Sequence, residues 1–130
     1  MTAVAFPTHW AGSLVAVTLP DEIDLSNSGE VCECLNALIE ACPRTLVVDM
    51  TGTSFCDSAS LAMLIRASQR AAARGCRLRL AASGTVRRLL RLMEADLLIE
   101  VFPTLAEALD DACPAESPRA SGRAAGTGPG

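Results

Sequence analysis

Residues 46–64 read LVVDMTGTSFCDSASLAML, and this stretch decides the fold. With Thr45 in front, TLVVDM at 45–50 is an almost continuous apolar run, the pattern of a parallel strand buried on both faces. Residues 52–56 read as a loop. Asp57 and Ser58 stand where a helix begins. Both residue types lead the N-cap ranking, because a short side-chain oxygen accepts a backbone N–H that the first helical turn leaves unpaired. Leu61, Leu64, Ile65 and Ser68 then recur at helical spacing, and Gly75 terminates the helix. A buried strand, a tight loop and a helix in that order are the half-unit of a parallel α/β sheet.

The flanking sequence repeats this unit. Upstream, SLVAVTL at 13–19 is a strand closed by Pro20, and 22–24 is a short extended piece. Ser26 or Asn27 caps a helix carrying Val31, Leu35, Leu38 and Ile39, and Pro43 ends it. Downstream, 77–81 is a strand. Ser83 or Thr85 caps a helix that turns Val86, Leu89, Leu90 and Met93 inward and Arg87, Arg88 and Arg91 outward. Residues 98–102 form the next strand. Thr104 caps a last helix over 105–112, with Glu107 at its third position.

The order β-β-α-β-α-β-α-β-α predicts an α/β fold: a mostly parallel sheet of about four to five strands, about four helices and right-handed crossovers. The first strand, 13–19, is expected to pair antiparallel at one side. Residues 1–11 read as an N-terminal arm, in which His9 has no assigned role and Trp10 packs the arm down. Residues 12–112 read as one domain, and 113–130, rich in Pro, Ala, Ser, Gly and Arg, as a disordered tail.

Composition narrows the function. The chain has 130 residues, half of them apolar, and a net charge of −4. That balance argues against nucleic acid or an anionic membrane as the main partner, since both demand clustered cations. All the basic residues are Arg. The stripe Arg66, Arg70 and Arg74 reads as a solvated helix face, with an anion site as the alternative. No apolar run reaches the length of a membrane span, and residues 1–10 lack a basic start followed by an apolar run. The expected location is the cytoplasm, without direct membrane insertion.

Six cysteines in a chain with a full-sized core and no export signal read as free thiols. Cys32-x-Cys34 is not a redox pair. With one His in the chain, no metal site is expected. Ser58 has no G-x-S-x-G elbow around it, no cysteine has an evident base, and neither a P-loop nor a G-x-G-x-x-G is present. The reading is therefore a binding module without catalytic residues or a cofactor.

FCDSASL at 55–61 resembles the F-x-D-S-S/T-G-L signature of the anti-sigma-factor antagonists, the STAS domains. Four further segments resemble the same family in order and spacing. They are PDEID at 20–24 (G-E-[LI]-D), LVVDM at 46–50 (V-V-[LV]-D-L), TVRRLLRL at 85–92 (V-R-R-L-L-x-[LT]) and VFPTLAEAL at 101–109 (V-[FY]-x-S-x-x-E-A-L). The resemblance covers roughly residues 12–112 and implies a STAS-like fold.

It also implies a mechanism. In that family the Ser after the signature Asp, Ser58 here, is phosphorylated by an anti-sigma factor that is itself a serine kinase. The unphosphorylated antagonist binds this partner and frees the sigma factor, and the phosphorylated form lets go. Asp24, Asp57, Ser58, Ala59, Ser60 and Leu61 are the partner-binding candidates.

The sequence departs from the family pattern in four places. Ala59 replaces a second hydroxyl, Ser60 a Gly, Asp21 a turn Gly, and Glu94-Ala95 a Gly in the helix that follows. From spacing alone, Asp57 and Ser58 are either a simple cap or a cap that also forms a site at the carboxyl edge of the sheet. The departures keep an alternative function open: a phosphorylation-independent scaffold, or an accessory subunit of a stressosome or a lipid-transport complex. The oligomeric state is not legible.

The composition of 114–130 cannot bury enough apolar surface to offset the entropy of ordering. Truncation after Cys113 is therefore expected to leave the Tm and partner affinity unchanged, as thermal denaturation and a binding titration would show.

Overall fold

The computed structural model describes residues 6–110. In chain order the elements are β1 (Thr8–Ala11), β2 (Leu14–Thr18), β3 (Glu22–Ile23), α1 (Ser28–Glu40), β4 (Thr45–Met50), β5 (Phe55–Cys56) and α2 (Ser58–Ala73). They continue with β6 (Arg77–Ala82), α3 (Gly84–Leu92), a single 3-10 turn at Ala95–Leu97, β7 (Glu100–Phe102) and α4 (Leu105–Leu109). Five strands form one sheet in the order β1-β2-β4-β6-β7, parallel throughout except for the β1–β2 hairpin. The mixed α/β architecture and the mostly parallel sheet are those expected from the alternation of apolar runs.

β4 is central, and all its residues are buried. Its alternate side chains feed two different layers. Leu46, Val48 and Met50 join Val15, Val17, Leu78, Leu80 and the apolar faces of α1, α2 and α3 in the main core. Val47 points the other way, into a smaller cluster with Ala81, Phe102 and Ala108 of α4. Between them the helices contribute Val31, Leu35, Leu38 and Ile39 from α1, Leu61, Leu64, Ala67 and Ala71 from α2, and Val86 and Leu90 from α3. The small residues Ala67 and Ala71 sit deep on α2, at positions that a pattern of large apolar side chains does not mark.

Arg79 sits at the centre of β6 and is fully buried. Its guanidinium carbon lies 4.2 Å from the centroid of the Phe102 ring, and its Nε lies 3.8 Å from a Glu100 carboxylate oxygen. A cation in such a place is sustained by a ring face and an acid together.

Several expectations need correction. Residues 8–11, expected within an arm, form β1, which folds back on β2 through a turn with Gly12 at φ +61. The 13–19 strand (β2) does pair antiparallel at one side, with β1 as its partner there, and on its other side it runs parallel to β4. Residues 52–56, expected as loop, include β5, which pairs in parallel with β3 as a separate two-stranded sheet. Neither strand is long enough to show a periodicity.

Met93 was expected in the core but is 37% exposed, because α3 stops at Leu92 and Glu94 adopts a left-handed conformation (φ 57). Glu94-Ala95 stand where the family pattern has Gly, the residue that meets such a conformation without steric cost. The last strand starts at Glu100 rather than at 98, since the 3-10 turn occupies 95–97 and leaves Leu98 exposed. Two of the striped arginines are not purely solvated: Arg70 Nε donates to Asn36 Oδ1 at 3.0 Å, and Arg74 Nη2 approaches Cys42 Sγ at 3.5 Å. The described cysteines, 32, 34, 42, 56 and 76, are free thiols. The last helix, expected over 105–112, ends at Leu109, where Asp110 turns extended, and residues 111–130, which hold the expected tail at 113–130, lie outside the described residues.

Leu64 is 1% exposed within the main core. Leu64→Ala is expected to cost about 2–5 kcal/mol through lost burial and a residual cavity. Urea denaturation would read this as a lower midpoint at an unchanged slope.

Candidate functional site

The site is assembled from three loops at the carboxyl ends of the parallel strands, where open α/β sheets place their ligands and partners. The sheet anchors them first. The Leu19 N–H donates to Asp49 O, and the N–H groups of Thr53 and Ser83 both donate to Met50 O. Thr53 is buried, and its hydroxyl donates to Pro20 O at 2.8 Å. The Ser83 hydroxyl donates to Thr53 O at 2.7 Å and also accepts the Val86 N–H as the N-cap of α3. The segments after β2, β4 and β6 are thereby tied into one surface.

The short β3–β5 sheet sets the register of the candidate residues. Ile23 lies opposite Cys56, and the Asp57 N–H donates to Ile23 O at 3.2 Å. The turn opened by Asp24 therefore stands beside Asp57 and Ser58. That turn is internally braced. Asp24 Oδ1 accepts from the Ser26 hydroxyl at 2.6 Å and from its N–H at 2.9 Å. Asn27 Oδ1 accepts the Asp24 N–H, and its Nδ2 donates to Glu22 O. Asn27 occupies the cap position of α1, yet its side chain serves this turn instead of the helix end. The Ser26 hydroxyl, followed by its N–H, holds the Asp24 carboxyl below the usual carboxylate range.

Asp57 is the N-cap of α2, and its Oδ1 accepts the Ser60 N–H at 2.8 Å. Ser58 and Ala59 follow as the first exposed residues of the helix. A sixteen-residue helix thus begins at Ser58, with unpaired backbone donors and the positive end of its dipole at the surface. Phe55, 49% exposed, and Leu25, 82% exposed, place apolar side chains on the two strand–helix connections of this surface. Sequence reasoning passed over Leu25. Its signal was a large apolar residue placed in a turn rather than in a periodic element.

Two of the six partner-binding candidates do not reach the surface. Ser60 is 1% exposed and Leu61 is fully buried, so both shape the site from beneath. The Ser60 hydroxyl has no hydrogen-bond partner. Asp24 and Asp57 are half-buried, while Ser58 and Ala59 are open. Cys56 lies directly under this surface. Burial, aided by the Asp57 charge, pushes its thiol up to about 12, so it stays protonated at neutral pH. Among the described residues no group of His, Cys, Asp and Glu side chains is arranged to hold a metal ion.

This chain belongs to the STAS domain family, which it matches over residues 7–108. Solved structures with the same fold include an anti-sigma factor antagonist from Mycobacterium paratuberculosis. It is 22% identical, with a TM-score of 0.74 over 82% of this chain and 92% of that one. SpoIIAA in its unphosphorylated form is 20% identical, with a TM-score of 0.67 over 82% of this chain and 94% of that one. The Bacillus SpoIIAA in its phosphorylated form is 20% identical, with a TM-score of 0.62 over 82% of this chain and 97% of that one. No curated protein sequence matches this chain.

A buried hydroxyl without a partner carries a desolvation cost that its removal relieves. Ser60→Ala is expected to raise stability by about 1 kcal/mol, while Asp57→Ala, which removes the cap, lowers it by about 1 kcal/mol. Paired thermal melts of the two variants would show Tm shifts of opposite sign.

Proposed function

We propose that this protein is a cytoplasmic anti-sigma factor antagonist. It binds an anti-sigma factor that is also a serine kinase, releases a sigma factor, and is switched off when Ser58 is phosphorylated. The observation that carries the reading is the pairing of an exposed Ser58 at the start of α2 with a capping Asp57 and a neighbouring Asp24 turn. The solved forms of SpoIIAA, phosphorylated and unphosphorylated, support it. Among the described residues no helix is long and apolar enough to cross a membrane.

The physics of a switch follows from the geometry. A phosphoryl group on Ser58 brings about −1.5 to −2 charges at neutral pH. The helix N-terminus receives that charge favourably, so the fold tolerates it. The partner does not. Asp24 and Asp57 already make the surface acidic, and a protein docked over it must strip water from the added anion. Leu25 and Phe55 supply apolar contact area around the charged centre, and Ser58 lies where a kinase can reach it. Ser60, the other hydroxyl of the first turn, is buried and is a poor acceptor.

A second reading, a scaffold that works without phosphorylation, is favoured by Ala59 and Ser60, which depart from the family signature. One experiment separates the two. The protein is incubated with ATP and its cognate kinase, and the modified residue is mapped by mass spectrometry. Ser58→Ala is expected to abolish labelling and keep binding. Ser58→Glu is expected to weaken binding at least tenfold while keeping a native circular dichroism spectrum. Tight binding by Ser58→Glu, or labelling at another residue, contradicts the switch and favours the scaffold.

A further inference from the structure

The five-stranded sheet has two edges, and they are built differently. At β7 the edge carries Glu100, whose carboxylate pairs with Arg77 at 3.2 Å. Charge of this kind discourages edge-to-edge pairing. At β1 the edge reads THWA, without an acidic or a permanently basic residue. Among the described residues no strand covers its outer side.

The register tells which backbone groups face outward. β1 and β2 are antiparallel with His9 opposite Ala16, and the Thr18 N–H donates to Pro7 O at 2.9 Å. Bonding direction alternates along such a strand. Pro7, His9 and Ala11 therefore turn their polar backbone groups toward β2, and Thr8 and Trp10 turn their N–H and C=O groups away from it. These two residues flank His9 symmetrically. A second β1 laid antiparallel alongside sets Thr8 of each copy opposite Trp10 of the other, with His9 facing His9 on the two-fold axis. Every outward group of Thr8 and Trp10 is then matched, and no permanent like charges meet.

The surroundings of the strand point to the same occupant. Trp10 is 45% exposed on the face that β1 shares with Val15 and Val17. On the opposite face His9, Ala11, Leu14, Ala16, Leu105 and Leu109 line an open, largely apolar groove of about 560 Å³. The two-fold that pairs the strands also brings the two grooves together across His9, so strand edge and groove make one continuous, self-complementary surface.

We propose that two copies of this chain associate through β1, joining their sheets into one across a two-fold axis at His9. The dimer uses no residue of the Ser58 surface, and each assembly thus presents two such surfaces. The claim is independent of the antagonist reading and is tested without a partner protein.

Trp10 is the only Trp of a chain that has no Tyr, so its emission reports on this edge alone. The full chain is sedimented over a concentration series while Trp10 emission is followed. The expected result is a monomer–dimer equilibrium, with emission moving to shorter wavelength as the dimer fills. His9→Asp and His9→Arg each place like charges opposite one another on the axis. Each is expected to abolish the dimer with an unchanged circular dichroism spectrum, and an equimolar mixture of the two to restore it as a heterodimer. A parent chain that stays monomeric at every soluble concentration overturns the proposal. So does a His9→Asp variant that still dimerises, or a mixture that stays monomeric.

Discussion

The structure depends on burying β4 on both faces. A strand whose six residues are all withdrawn from water must be paired on both sides and covered above and below. That demand places β2 and β6 beside it, α1, α2 and α3 over one face, and α4 over part of the other. It also fixes the functional edge. The backbone that leaves β4 is held by bonds from Leu19, Thr53 and Ser83 to the carbonyls of Asp49 and Met50. The start of α2 is thereby presented at a defined height above the sheet.

The site inherits its geometry from that frame through a smaller one. Two residues of β3 and two of β5 form a sheet too short to be stable alone, and it persists because Ile23 and Cys56 are buried in the main core. This short sheet brings the Asp24 turn beside the Asp57 cap. Asp57 therefore does two things with one side chain. Its Oδ1 closes the first turn of α2 on Ser60, and its carboxylate sets the charge next to Ser58. On the proposed function a cap and a recognition element are the same residue, which is why spacing alone leaves the two readings of Asp57 open.

The helices were legible because their apolar faces repeat over several turns. The long buried strand was legible because both of its faces are apolar. Thr104 was legible as a cap, and Asp57 and Ser83 each as one of two candidates (with Ser58 and Thr85), because a short oxygen stood directly before a helical pattern. What stayed hidden depends on tertiary pairing. β5 is two residues long and carries no period of its own, and β1 is an exposed edge whose burial pattern does not alternate. Ser26 or Asn27 reads as a cap, but the Asp24 turn takes the side chains of both. Arg79 gave no sign of its burial, since the Phe102 ring and Glu100 that sustain it lie more than twenty residues away in the chain. The left-handed Glu94 shows the reverse case. The departure from the family pattern at Glu94-Ala95 was visible in the sequence, but the positive φ that Glu94 adopts there was not.

The central claim is that the Asp24 turn, Phe55 and the start of α2 act as one docking surface centred on Ser58. Amide chemical-shift mapping of the labelled protein, titrated with the proposed anti-sigma factor partner, tests this most directly. The account predicts that the largest perturbations fall together on Asp24, Leu25, Phe55, Ser58 and Ala59, and that the α4 face stays unperturbed. Perturbations concentrated on α4 or on the far end of α3, with Ser58 silent, would contradict it.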